Sequence, residues 1–152
     1  MLSPVDCSTR SSPSCRSGRS CARSPRPTAR RWLAQAEHSL DVTQVLLAQS
    51  LWPEVCFHAE QTAQLALKAY LFLEGRRFIN VHSIRALAEE CNKYDATFTP
   101  IIDYGRILDR YYLATRYPDV LPPPAVPFES FTEPEAHQAL DYATEIVELA
   151  RA

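Results

Sequence analysis

The sequence predicts an all-α fold, an antiparallel up-and-down bundle of four long helices plus one short helix. Three observations predict it. The 152 residues hold only 3 Gly against 12 Pro, a composition that suits helices punctuated by proline better than a glycine-turned sheet. From Thr28 onward, apolar residues recur at the 3.6-residue period of a helix. Between the periodic runs stand helix-start and helix-stop residues, with no credible strand pair and no internal repeat. A chain of this length normally forms one domain with a sizeable core. The expected organisation is a Ser/Arg/Pro-rich tail over 1–28 and a helical bundle over 29–152.

The opening stretch, MLSPVDCSTRSSPSCRSGRSCARSPRPTARR, has almost no large apolar residue. It cannot bury enough surface to offset its ordering entropy and is predicted to be disordered. Three readings of it compete. It is a basic arm for nucleic acid or acidic lipid, a transit-like peptide, or a tail without function whose true start lies further along. Arginine outnumbers lysine 14 to 2 in the whole chain, which fits a GC-rich coding sequence that generates such a tail by accident.

Thr28 can cap the first helix, whose buried face is Leu33, Ala36, Leu40 and Leu47 with Trp32 beside it, and which fades near Gln49–Leu51. Pro53 suits the first turn of a second helix. Its inner stripe is Cys56, Ala59, Ala63, Ala66, Leu67, Tyr70 and Leu73, and Gly75 stops it. The alanines permit close helix approach, at the bundle centre or in a dimer interface. Ser83 caps a short third helix holding Ile84, Leu87 and Ala88. Thr99 and Pro100 start a fourth, with Ile101, Tyr104, Leu108 and Tyr111 inside, which runs until Pro118 forbids continuation. A Pro-rich connection over about 118–131 follows, with Phe128 and Phe131 as expected anchors; its length in a small bundle suggests a role. Thr132 and Glu135 make a T-x-x-E capping box. The last helix buries Ala136, Ala139, Leu140, Ala143, Ile146, Val147 and Ala150.

The formal net charge of −2 hides an asymmetry. Residues 1–31 hold seven Arg and one Asp, whereas the remaining 121 hold nine Lys or Arg and 17 Asp or Glu. The folded part is acidic and a poor general binder of nucleic acid, so a nucleotide site needs a local cationic cluster. No apolar run approaches the roughly 20 residues of a membrane span. Cys7, Cys15 and Cys21 match no zinc spacing, and Cys56 and Cys91 fall in helical stretches as small buried hydrophobes. The odd cysteine count, with no apolar signal segment, indicates a reducing compartment, and a cytoplasmic location is expected.

Candidate chemistry is sparse. None of His38, His58, His82 and His137 pairs with another His or a Cys at helical spacing, so no metal is expected, and no cofactor. There is no nucleophile elbow and no glycine-rich phosphate loop. Cys56 and His58 are two residues apart and diverge on a helix. Glu89 and Glu90 fit a solvated surface. Two polar stripes remain. Glu54, Gln61 and Lys68 recur every seven residues on the second helix, with His58 and Gln64 close by, and fit a solvent face. Asp109, Tyr112 and Arg116 share one side of the fourth helix, with Arg106 and Arg110 in a second row. Arginines with tyrosines at a helix end in an acidic protein are what a phosphate or nucleotide pocket needs. A salt-bridged surface or a dimer interface uses the same residues.

The segments RRWLAQAEHSL, FHAEQTAQLALKAYLFLEG, VHSIRALAEEC, LDRYYLATRYPDV and EAHQALDYATEIVELA, in that order, resemble the HEPN domain family (higher eukaryotes and prokaryotes nucleotide-binding) over roughly 30–151. The likeness is to the small prokaryotic type found beside minimal nucleotidyltransferases. It implies a helical bundle that works as a homodimer, as a ribonuclease of toxin–antitoxin and defence systems, as a nucleotidyltransferase partner, or as an appended nucleotide-binding module. The family's ribonucleases carry R-x(4–6)-H. Arg116 matches that arginine, but the histidine positions hold Leu121, Pro122 and Pro123. Arg110 fares no better, with Thr115, Arg116 and Tyr117 there. An arginine alone stabilises charge but is a poor proton shuttle. Tyr111, Tyr112 and Tyr117 lie near, but outside, the motif in which a family tyrosine receives AMP. The resulting expectation is a non-catalytic homodimer that binds a nucleotide, RNA or other polyanion, or a nucleotidyltransferase-fold partner. Its site is lined by Lys68, Arg110, Tyr112, Arg116, Tyr117 and His82. The alternatives are a ribonuclease toxin with a diverged site and a structural dimerisation module in which Arg116 pairs with Asp109 or with an acid across the interface.

Overall fold

The computed structural model describes residues 25–152, and its regular structure is entirely helical. In chain order it comprises α1 (Pro25–Ala48), α2 (Trp52–Leu73), α3 (Ile84–Asn92), α4 (Thr99–Leu108), α5 (Tyr111–Ala114) and α6 (Glu133–Arg151). Three single 3-10 turns lie at Ala96–Phe98, Pro118–Val120 and Pro127–Glu129. The expected disorder of the tail, its competing functions and its three cysteines fall outside the described residues. Pro25–Thr28 already form the first turn of α1, so Thr28 lies inside the helix and does not cap it.

α1 and α2 form an antiparallel hairpin closed by a short turn. The amide of Ser50 donates to the Leu47 carbonyl and that of Leu51 to the Leu46 carbonyl. This Schellman closure needs a left-handed residue, here Ser50 at φ 59. α2 ends in the same way at Gly75, φ 90, where the expected stop falls. Glycine adopts that conformation freely; a serine does so at a cost of about 1 kcal/mol.

α2 is the central helix, packed by α1, α6, α3 and α5. Its Ala59, Ala63 and Ala66 are fully buried, which lets the neighbouring backbones close in, and Leu67 fills the core beside them. Leu73, expected in the same stripe, is partly exposed and lines a cleft with Ala29 and Leu33 of α1 and Ala150 of α6. α6 opens on the expected capping box and buries all seven of its predicted apolar positions. Each fully buried Leu, Ile or Val there contributes roughly 1.5–3 kcal/mol relative to exposure.

The fourth predicted helix is not continuous. It divides into α4 and α5 at a turn, where the Arg110 amide bonds three residues back to the Ile107 carbonyl. The cause lies on α3. Gly105 lies against the backbone of Ile84 and Arg85 so closely that a Cβ there would stand 2.5 Å from the Arg85 nitrogen. That approach delivers the Asp109 carboxylate to the start of α3. It accepts from the Ser83 hydroxyl (2.7 Å) and from the amides of Ile84 (2.6 Å) and Arg85 (3.3 Å). Ser83 caps the same helix as expected, accepting from Ala86. The helix therefore stops in stages, at the Asp109 turn and after Ala114, before Pro118 is reached.

Along the connection to α6, Phe128 is 70% exposed and anchors nothing; Pro127 is buried instead. Phe131 is an anchor, its ring set edge-on to Tyr111. Among the described residues no helix is long and apolar enough to cross a membrane.

Candidate anion-binding site

Glu60, Gln64 and Lys68 stand at i, i+4 and i+8 on α2 and therefore line one row. All three are buried, and Glu60 is wholly inaccessible. Its carboxylate accepts from the Gln64 amide (2.6 Å) and the Gln61 amide (2.7 Å). Burial is the largest influence on it and pushes its pKa up to about 7; the two amides and Arg116 pull downward, and Asp109 adds an upward push. The Gln64 carbonyl oxygen then meets two further groups, the Lys68 ammonium at 3.4 Å and His82 Nδ1 at 3.3 Å. Burial lowers the pKa of Lys68 against the opposing pull of Glu60. Its ammonium also lies 5.8 Å above the Trp32 ring.

Arg116 is held differently. Its Nε and Nη2 donate to the Tyr112 carbonyl (3.1 and 2.7 Å), which satisfies an open carbonyl at the end of α5. Its guanidinium carbon lies 4.5 Å from the ring centre of Phe57, 5.1 Å from Tyr117 and 5.2 Å from Tyr112. The residue remains exposed, with further N–H groups on its fork for another acceptor. A cleft of about 360 Å³ beside it is lined by Glu54, Phe57, Thr115, Arg116, Pro127 and Phe128.

Tyr112 joins the two groups. Its ring lies near-parallel to His82, 6.3 Å between centres, while Arg116 packs over it. His82, Ser83, Asp109 and Tyr112 line a smaller cleft of about 230 Å³. One face thus carries the exposed Arg116, His82, Tyr112 and Tyr117, with the Lys68 ammonium buried beside Gln64. It can receive an anion by charge-assisted hydrogen bonds and a planar group by stacking.

Five of the six expected site residues, Lys68, His82, Tyr112, Arg116 and Tyr117, belong to this connected set. Arg110 does not. It is exposed beside Tyr111 and, among the described residues, shares none of these contacts. Arg106 pairs with Asp103 at 3.2 Å. Arg116 does not pair with Asp109, whose oxygens are committed to α3. The solvent-face reading of α2 fails at Gln64 and Lys68, which are buried, and holds at Glu54, which is exposed. Glu60, Phe57 and the Trp32–Lys68 contact escaped sequence reading. The signal for Glu60 was present: one polar residue per turn at 60, 64 and 68, between buried alanines. Cys56 and Cys91 are buried thiols with pKa pushed up to about 12, mainly by burial, and behave as packing residues.

A sequence model of the HEPN domain matches residues 29–152. Human sacsin is 31% identical over 117 residues, 74% of this chain; the chain spans about 2% of sacsin's length. A protein of Methanocaldococcus jannaschii, MJ1304, whose name provisionally makes it a toxin, is 26% identical over 134 residues, covering 81% of this chain and 86% of its own. The solved structure of TT1696 from Thermus thermophilus superposes with a TM-score of 0.75 at 33% identity, over 81% of this chain and 95% of that one. ST0689, described as an archaeal HEPN homologue, gives a TM-score of 0.64 at 26% identity, over 81% and 94%.

Proposed function

The chain belongs to the HEPN domain family, and on that premise we propose that it is a non-catalytic, homodimeric module that binds a nucleotide or related polyanion. A nucleotidyltransferase-fold protein is the partner this reading expects, in a cytoplasmic toxin–antitoxin or defence setting, and the name of MJ1304 supports that setting. The observation that carries the reading is the set formed by Lys68, His82, Tyr112, Arg116 and Tyr117, where cations and aromatic faces adjoin. Phosphate oxygens meet Arg116 and Lys68, and a base stacks on an exposed tyrosine. The absence of histidine at 121–123 supports a binding role over cleavage.

Calorimetry with ATP and GTP tests this. Arg116→Ala should weaken binding by roughly tenfold or more, the loss of a charge-assisted contact. Equal affinities for the wild type and the variant would remove Arg116 from the site. The toxin-named relative also gives weight to a ribonuclease with a diverged site. Labelled tRNA and mRNA left intact at high protein concentration would eliminate it. An Arg116→Ala variant that only lowers dimer stability would instead mark a structural interface.

A further inference from the structure

The buried carboxyl of Glu60 is out of reach of any ligand, yet it underlies the face that would hold one. We propose that anion binding at the Lys68–His82–Arg116 face is coupled to proton uptake by Glu60, so that the anion and the proton enter together. The inference rests on the binding reading above and adds its regulation.

The charges around Glu60 come from named elements. Lys68 lies two turns along α2, linked to it through Gln64. Arg116 at the end of α5 and Asp109 after α4 both act on it through space. His82, before α3, reaches it through Gln64. Among the described residues, α1, α3 and α6 place no charge that bears on it. Asp109 is committed to three donors of α3. With Glu60 ionised, Lys68 and Arg116 face the carboxylates of Glu60 and Asp109, and Glu54 adds a third carboxylate at the Arg116 cleft. Protonation of Glu60 removes one negative charge from beneath the face and so favours an anion there. An arriving anion in turn opposes ionisation of Glu60, and the two couplings are equal by linkage. A carboxyl poised at about 7 makes the exchange available near neutral pH.

The route for the proton is also built. Glu60 Oε2 faces Gln61, which is half-buried, and Oε1 faces the buried Gln64. Gln61 can turn its amide from donor to acceptor when solvent supplies a proton to Oε2. Gln64 keeps its orientation, because its oxygen is engaged by Lys68 and His82. The proton leaves water or buffer and forms an O–H bond on Oε2; no other bond changes.

Sulfate is the probe, since its charge stays fixed across neutral pH. The ratio of sulfate affinity near pH 6 to that near pH 8, at constant ionic strength, should be larger in the wild type than in Glu60→Gln by up to about tenfold. Near pH 8, Glu60→Gln should bind sulfate more tightly than the wild type does. Should that variant fail to fold, the unmutated Glu60 still answers. Binding heats compared in two buffers of different ionisation enthalpy should show about half a proton taken up per sulfate near pH 7.5. No proton uptake, or the same pH ratio in Glu60→Gln as in the wild type, overturns the coupling. ATP binding that depends on Arg116 but is equal at both pH values overturns the coupling alone. No binding of sulfate or ATP at any pH overturns both the coupling and the binding reading.

Discussion

The polar row inside α2 and the aromatic cage at the end of α5 bring cations to the same face under opposite physical conditions. In the row, Glu60 and Lys68 have been withdrawn from water, and Gln64 must satisfy both. Burial opposes the charged form of each. In the cage, Arg116 stays in solvent, leans on three rings and closes a helix end, all without desolvating its charge. The row therefore costs folding energy and the cage does not. Interior groups that cost stability and nevertheless keep a hydrogen-bond partner are candidates for a role other than holding the fold together.

The largest test removes that cost. An ordinary glutamate has a pKa of 4.5; Glu60 in the folded chain holds its proton up to about 7. Between those values the folded state binds more protons than the unfolded one, so stability falls as pH rises through the window. The full loss, on the order of 3 kcal/mol, is present above it, and none is present below about pH 4.5. Glu60→Gln should accordingly be more stable than the wild type by up to that amount near pH 8 and close to it near pH 5, as read by urea denaturation at the two pH values. A wild type whose stability from this group rises with pH would show that Glu60 is not the strained member of the row.

The join between the two regions is the next target. Gly105 lets α3 and α4 approach, and the turn after α4 then carries Asp109 to α3 and sends α5 toward the cage. The atoms that a Cβ would meet are backbone and cannot rotate away. Gly105→Ala should cost about 2–3 kcal/mol, the upper range for overpacking. It should also weaken nucleotide binding by displacing His82 and Tyr112 relative to α2. A variant that loses stability while binding unchanged would show that the row and the cage do not depend on this crossing.

What the sequence revealed follows the same division. The capping box at Thr132 and Glu135, the Ser83 cap, the Gly75 stop and the apolar stripe of α6 were all legible, because each is decided by residues within a turn or two of one another. The family motifs led to Tyr112, Arg116 and Tyr117 for the same reason, since these are neighbours in sequence. The break at Asp109 was hidden because its partners lie 24 to 26 residues earlier. Periodicity alone ran the helix on to Pro118. The burial of Glu60 was hidden because a charged residue on a helix is normally assigned to solvent. Residues far from it in sequence cover that row: Trp32 of α1 lies against Lys68, and His82 meets Gln64. Phe128 misled in the opposite direction, as a large apolar residue left in water while the adjacent Pro127 took the buried place.

The smallest stability effect belongs to Arg116. Cation–ring contacts at an exposed position contribute about 0.5–1 kcal/mol, and the bonds to the Tyr112 carbonyl can be replaced by water. Arg116→Ala should lower stability by about 1 kcal/mol or less, measured by urea denaturation, even though it removes the principal anion contact. Arg116→Lys separates charge from shape. It keeps the positive charge but lacks the planar fork that bonds Tyr112 and lies against Phe57 while still offering donors outward. It should recover part of the ATP affinity lost in the alanine variant, and its binding should weaken more steeply with added salt, as expected of a point charge without a fixed hydrogen-bonding plane. Full recovery would mean that only charge matters at the end of α5. A loss of stability well above about 1 kcal/mol in the alanine variant would make the cage structural, like the row, and the contrast between an interior that costs energy and a surface that does not would fail.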